Sequence, residues 1–253
     1  MARLDSFHLT PESWPGQDRA VLAGAEARHM LKVLRLGPGR EVRCFDGQGR
    51  EGVFVIRATA RDRVDLDKIS ESFTPRPEAG LTLALGWNKS SRRGWLLEKA
   101  VELDAAGILF WRAERGQGRP PENPKESWQE KLVQAAKQCS APWLPELSVT
   151  GDATQLASIA PRFSGCYVLW EESGEQSRLL TPQDLAQGSC LVVVGPEGGL
   201  TKAEVDVLCE AGMVPVTLGK RILRYETAAL MALALGAHGR NATLHHTLPT
   251  TKP

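Results

Sequence analysis

The residues best suited to chemistry lie in two short stretches of the C-terminal half, "GPEGGLTKAE" at 195–204 and "LGKRILRYETA" at 218–228. Each follows an apolar, valine-rich run and leads into a helical pattern. In the first stretch the glycines place backbone N–H groups at a helix start, the usual cradle for a phosphate. Glu197, in the middle of it, repels such a ligand. The lysine-serine/threonine ending of a P-loop is absent, and so is the glycine spacing of a dinucleotide fingerprint. A zwitterionic or cationic ligand, or one held by backbone groups alone, suits the turn better. Thr201 and Glu204 have the spacing of a capping box, which places the helix start rigidly. A plainer reading stays open, in which Gly198 and Gly199 only make a tight strand-to-helix connection.

In the second stretch Arg221 and Arg224 bracket Ile222 and Leu223, and Glu226 and Thr227 open the last helix. That is not a core pattern, and an ordinary solvated face would leave Ile222 and Leu223 exposed. An apolar wall for a purine, with arginines aimed at an anionic or carbonyl-rich partner, accounts for both halves. The alternative is a helix entry with surface arginines, capped by Glu226 or Thr227.

The elements that must position these loops are legible in outline. Residues 41–69 alternate apolar and polar side chains in runs broken by Asp46-Gly47 and Gly49, which predicts hairpins. Before them "EARHMLKVLRL" sets Ala27, Met30, Leu31 and Leu34 at helical spacing, leaving Arg28, Lys32 and Arg35 on another face. "SFTPRPEAG" reads as a linker. Residues 1–75 are therefore expected to form a small, mostly antiparallel β domain. Residues 76–253 change texture. "LTLALGW", "ILFW", "CYVLWEE", "CLVVVG" and "VPVTLG" read as strands. "RRGWLLEKAVELDAAG", "ENPKESWQEKLVQAAKQCSA", "TKAEVDVLCEAG" and "ETAALMALALGAHG" read as helices. In the second of these Leu132, Val133, Ala136 and Cys139 fall on or beside one stripe. Such apolar strands separated by helices predict an α/β fold with a parallel sheet covered on both faces, and ligands gather where its strands end. Pro215 must begin its strand or lie at an edge. The tail after His245 is expected to be disordered.

The 253 residues carry a net charge of +1, so nucleic-acid binding must rest on local patches rather than a global field. No apolar run reaches a membrane span and "MARLDSFHLT" has no signal-peptide core, giving a cytoplasmic expectation. Five cysteines with no CxxC pair argue against a disulfide framework or a metal centre, and most read as small buried hydrophobes.

Taken in order, the paired loop motifs resemble the signature of the RsmE-type ribosomal RNA uridine-N3 methyltransferases of the SPOUT superfamily. "RHMLKVLRLGPGREVRCFDGQG" is similar to that family's PUA-like N-terminal β-barrel, "KSSRRGWLLEKAVELDAAGI" to its first catalytic-domain helix, and "KLVQAAKQCSAPWLPEL" to its alanine-glutamine segment. The resemblance implies S-adenosyl-L-methionine as methyl donor, a trefoil knot over about 165–240, a homodimer, and 16S rRNA or the small ribosomal subunit as substrate. The donor carries no phosphate, which makes Glu197 tolerable.

Carried over by position, the resemblance places the cofactor on Leu169, Gly195, Glu197, Gly198, Gly199, Leu218, Gly219, Ile222, Leu223 and Thr227. It leaves Arg224 and Glu226, again with Thr227, facing the methyl group and the base. Arg224 is the expected stabiliser of the uracil anion. Glu226 is either the proton acceptor or a helix cap. For RNA, Arg28, His29, Lys32 and Arg35 supply phosphate contacts in the first domain, with Lys89, Arg92 and Arg93 at the edge of the second, unless these runs are simply solvated faces. Tyr225 stands where the family has a small residue, and no arginine closely follows Gln138. The final helix is apolar nearly all round, which independently favours a dimer. A non-catalytic RNA-binding assembly factor and a nucleotide-dependent dehydrogenase are the rival readings. The missing fingerprint and Glu197 argue against the second.

Overall fold

The computed structural model describes residues 3–16, 18–171 and 178–247. The chain divides into two compact units, Met1–Arg76 with Val133–Leu144, and Pro77–Leu132 with Pro145–Pro253.

The first unit contains β1 (Ser6–His8), β2 (Arg19–Ala23), α1 (Gly24–Arg28), β3 (Glu41–Phe45), β4 (Arg50–Ala60) and β5 (Arg63–Phe73). They form a five-stranded sheet in the order β1-β3-β4-β5-β2. Every pairing is antiparallel except β1 with β3. The period-2 pattern sets the inner face, where Leu22, Val42, Phe54, Ile56 and Leu66 pack with Phe7 and Met30. Two register shifts in the β4–β5 ladder bend that pair around the core.

The helical stripe before β3 is only partly as expected. After α1 the chain makes a π-turn over His29–Val33, with Leu34 N–H donating to His29 C=O. Arg35 then takes a left-handed φ of 53°. Leu36 N–H bonds back to Met30 C=O at 3.1 Å, a closing bond one residue wider than that of a Schellman cap, as the π-turn requires. The widened turn rotates Leu34 outward, whereas Ala27 and Met30 stay buried and Leu31 and Leu36 pack on the core.

The second unit is built on β6 (Gly80–Gly86), β7 (Ala105–Trp111), β8 (Glu146–Val149), β9 (Gly165–Leu169), β10 (Ser189–Val194) and β11 (Val214–Val216), with α2 (Arg93–Glu102), α3 (Glu126–Cys139), α4 (Ala153–Ala157), α5 (Lys202–Glu210) and α6 (Tyr225–Thr247). Residues of α3 from Val133 onward group with the first unit. All five pairings are parallel, in the order β11-β9-β10-β6-β7-β8. β6 and β10 are buried over nearly their whole length, which is why their sequences read as unbroken apolar runs. Consecutive strands run outward from β6 to β8. The chain then returns to the other side, so the order reverses between β6 and β10. Pro215 sits in the edge strand β11, where its missing N–H costs no internal ladder bond.

Several boundaries differ from expectation. α2 stops at Glu102 because Asp104 turns left-handed at φ 54°, and Ala105–Gly107 join β7, with Ala105 opposite Leu81. α3 starts only at Glu126, beyond Pro124, and Ser140 at φ 61° follows its end. Cys139 is exposed rather than on the buried stripe, while Cys44 and Cys190 are buried and Cys166 and Cys209 partly so; all five are free thiols. α6 runs on through Gly236 and Gly239 to Thr247. A Cβ on Gly236 would sit 3.0 Å from the Leu81 side chain, and one on Gly239 2.1 Å from Pro182 C=O, so these glycines let the helix lie close instead of ending it. The expected disordered tail lies, from residue 248 on, outside the described residues. Among those described, no helix is long and apolar enough to cross a membrane.

Candidate active site

The four strands around the reversal, β6, β9, β10 and β11, end on one side of the sheet, and their following loops surround a cleft of about 800 Å³. Such a reversal opens a crevice beyond the strand ends because the two connecting loops diverge from it.

The loop after β10 is held from three directions. Beneath it, Gly86 ends β6, and a Cβ there would lie 2.7 Å from both Pro196 N and Cδ. Within it, Gly199 N–H closes a turn onto Pro196 C=O at 2.8 Å with φ at 73°, a conformation that favours glycine. Beyond it, the capping box is formed: Thr201 N–H donates to Glu204 Oε2 at 2.9 Å, and Glu204 N–H to Thr201 Oγ1 at 3.3 Å. Buried Glu204 also accepts the Glu114 N–H at 2.7 Å, which ties the loop to the segment after β7. From that segment Arg115 donates to the carbonyls of Gly198 and Leu200, each at 3.4 Å. The loop after β11 is shaped by Thr217, whose hydroxyl accepts the Gly219 N–H at 3.2 Å and donates to Gly219 C=O at 2.9 Å. Gly219 has φ 129°, with open space where a Cβ would stand.

Leu169, Gly195, Glu197, Gly199, Leu218, Gly219, Ile222, Leu223, Arg224 and Glu226 all line the cleft, together with Lys89 and Arg92. Ile222 is 80% exposed, an unusual state for a large apolar side chain within a folded unit. Gly198 lies behind the lining, packed against Arg115, and Thr227 points outward from α6.

Arg93 departs from its expected place at an RNA-facing edge. Its guanidinium stacks 4.0 Å from the Trp87 ring centroid, with Phe110 and Trp128 at 5.8 and 5.5 Å, and it donates to Asn88 C=O. Burial in this aromatic cage pulls its pKa down, and its role there is packing and orientation. In the first unit Arg28, Lys32 and Arg35 are exposed on the helix and its cap. His29 is half-buried, edge-on to Phe7 at 6.2 Å.

Four residues of this neighbourhood escaped the sequence reading: Ser90, Arg115 and Glu171 by being passed over, Tyr225 by being noted only as a departure. Ser90 follows the strand "LTLALGW" and Glu171 follows "CYVL", so the rule that ligands gather at parallel strand ends could have found both. Ser90 Oγ donates to Glu226 Oε1 at 3.1 Å, so the carboxylate reaches across to another loop. Glu171 Oε1 would stand 3.7 Å from a Cβ on Gly199. Tyr225 is buried at the start of α6, and that burial pushes its hydroxyl pKa well up. Glu171, Glu197 and Glu226 therefore share the cleft with Lys89, Arg92, Lys220, Arg221 and Arg224, a mixed field with a net positive excess, suited to a zwitterion beside an anionic strand. Among the described residues no group of three or more His, Cys, Asp or Glu is placed to hold a metal ion.

Residues 75–237 match the family model of an RNA methyltransferase domain, and residues 22–69 that of an RNA methyltransferase PUA domain. Ribosomal RNA small subunit methyltransferase E of Bacillus subtilis is 30% identical over 223 residues, covering 84% of this chain and 87% of that protein. The protein of the same name from Mycobacterium bovis is 31% identical, covering 87% and 86%. Among solved structures, ribosomal RNA small subunit methyltransferase E from Neisseria gonorrhoeae bound to S-adenosyl methionine superposes with a TM-score of 0.78 at 29% identity, over 92% of this chain and 96% of that one. A methyltransferase from Legionella pneumophila in complex with the same cofactor gives 0.79 at 26% identity, over 94% and 98%. With both family models matched in order along the sequence, and the relatives aligned over most of their length, the chain belongs to the ribosomal RNA small subunit methyltransferase E family.

Proposed function

We propose that this protein transfers a methyl group from S-adenosyl-L-methionine to N3 of a uridine in 16S rRNA. The observation that carries the reading is the convergence of the loops after β10 and β11 on one cleft, with Glu197 and exposed Ile222 both facing it. The residues present suit this cofactor. Gly199 and Gly219, at positive φ, keep side chains out of the way of the adenosyl part, Leu169, Leu218, Ile222 and Leu223 offer an apolar wall, and the Glu197 carboxylate suits the positive charge of the donor. Gly195 lines the same cradle, and Gly198 shapes it from behind.

S-adenosylmethionine supplies an electrophilic methyl group on a sulfonium. What remains for the chain is alignment and charge. In-line attack requires the uracil N3 to be held opposite the departing sulfur, and N3 becomes nucleophilic only as its proton leaves. Arg224, free to reach a uracil carbonyl from the cleft wall, stabilises the negative charge that then spreads over the base. Glu226 accepts the proton, directly or through water. Thr227, exposed and outside the cleft lining, is left without a role in holding the donor.

The reading also assigns roles outside the cleft. Residues 1–75 act as the PUA-like RNA-binding domain through Arg28, His29, Lys32 and Arg35, and residues 76–253 as the methyltransferase domain, joined by Lys89 and Arg92 at its rim. The region from about 165 to 240 is tied in a trefoil knot, in keeping with β10 lying between β9 and β6. The protein works in the cytoplasm as a homodimer. Met231 and Ala234, exposed on α6, give the dimer an apolar contact.

Radiolabelled methyl transfer to 16S rRNA, followed by nucleoside analysis, tests the proposal: label is expected in 3-methyluridine. Arg224→Ala is expected to bind the donor normally in calorimetry yet lose roughly a hundredfold or more in turnover. Methylation of another base or position would refute the uridine-N3 assignment. Donor binding without any transfer would favour an assembly factor.

A further inference from the structure

We infer that Ser90, in the loop between β6 and α2, is a positioning residue that aims the Glu226 carboxylate, an assignment that rests on the methyl-transfer reading above. The argument is one of hydrogen-bond supply. A serine hydroxyl has one proton and two lone pairs. Arg92 N–H donates to Ser90 Oγ at 3.1 Å and so occupies a lone pair. The proton is directed to Glu226 Oε1, 3.1 Å away and able only to accept in its ionised form. The Ser90 backbone is held in place, because its own N–H donates to Asn88 Oδ1 at 3.1 Å. Asn88 is in turn 4% exposed, and its carbonyl accepts from Arg93, the guanidinium stacked on Trp87. A chain of contacts thus runs from an aromatic cage to one oxygen of Glu226. It commits Oε1 to Ser90 and leaves Oε2 to take the proton of the base.

The consequence separates Ser90 from a residue that merely helps the loop fold. A proton acceptor displaced by about 1 Å loses roughly ten- to a hundredfold in rate. Ser90→Ala is therefore expected to lower kcat by that factor in single-turnover methylation of 16S rRNA, with KM for RNA unchanged and donor affinity in calorimetry as in the wild type. Ser90→Thr keeps the hydroxyl and is expected to recover most of the rate. In a Glu226→Gln background, Ser90→Ala is expected to cause little further loss, because a residue acting through Glu226 has nothing left to orient.

Wild-type kcat in Ser90→Ala, equal losses in the alanine and threonine variants, a loss confined to KM, or full additivity with Glu226→Gln would each overturn the assignment. A wild-type chain that binds donor but never methylates RNA would instead overturn the methyl-transfer reading, and this assignment with it.

Discussion

Replacing Glu204 with alanine tests how the first cofactor loop is held. The side chain is buried and accepts two backbone donors, Thr201 N–H at 2.9 Å and Glu114 N–H at 2.7 Å, while the single Thr201 hydroxyl proton is shared between Glu204 Oε2 at 3.2 Å and Glu114 Oε2 at 3.0 Å. Loss of the capping box costs about 1 kcal/mol. Leaving the Glu114 N–H without its partner in a part-buried site adds about 1–3 kcal/mol. The sum, about 2–4 kcal/mol, corresponds to a fall of roughly 5–15 °C in the melting temperature of the methyltransferase unit, at about 2–4 °C per kcal/mol for a unit of this size. Melting followed by circular dichroism measures it. Thr201→Ala, which removes the capping hydroxyl and its 3.0 Å bond to Glu114 Oε2 but leaves Glu114 N–H on Glu204, is expected to lose only the smaller share. Because the same contacts fix the turn that carries Glu197 and Gly199, Glu204→Ala is also expected to weaken S-adenosylmethionine binding in calorimetry. An unchanged melting point together with unchanged donor affinity would refute the bracing argument, whatever the activity.

Three further predictions follow from particular contacts. Gly86→Ala puts a methyl group 2.7 Å from Pro196 backbone, so the loop must shift; donor affinity is expected to fall at least tenfold, with modest loss of stability, and normal affinity would show the close approach to be unimportant. Arg28→Glu with Arg35→Glu, both at exposed positions, is expected to weaken RNA binding and flatten its salt dependence while donor binding holds; equal RNA affinity across salt would mark them as an ordinary solvated face. In the first unit the Lys68 side-chain hydrogen bond, with a second from Trp14, holds Glu71 below the usual carboxylate range. A folded pKa that is depressed gives stability present above the unfolded value and lost as pH falls through the folded one. Acid titration followed by Trp14 fluorescence is thus expected to show a transition below the ordinary glutamate range, absent in Glu71→Gln, and persistence of that transition in the variant would assign it to another group.

Much of this protein was written in local chemistry. The period-2 runs of β4 and β5, the apolar blocks of β6 and β10, the capping box at Thr201 and Glu204, and the edge placement of Pro215 follow from rules acting over a few residues, and the folded chain keeps them. The two motif loops could be recognised for the same reason, since a positive φ, a cap and an apolar pair between two arginines each leave a short signature. What spacing alone could not supply was long-range partnership. Nothing near residue 93 says that its guanidinium stacks beside Trp128, and nothing near 115 or 90 says that these side chains meet residues 83 and 136 positions away. Leu34 turned outward because a π-turn and the left-handed Arg35 broke a helical period that the apolar residues still displayed. Only tertiary structure decides such cases, because a side chain's final partners depend on which strand ends the sheet order brings together, and that order is set by burying the whole apolar sequence at once.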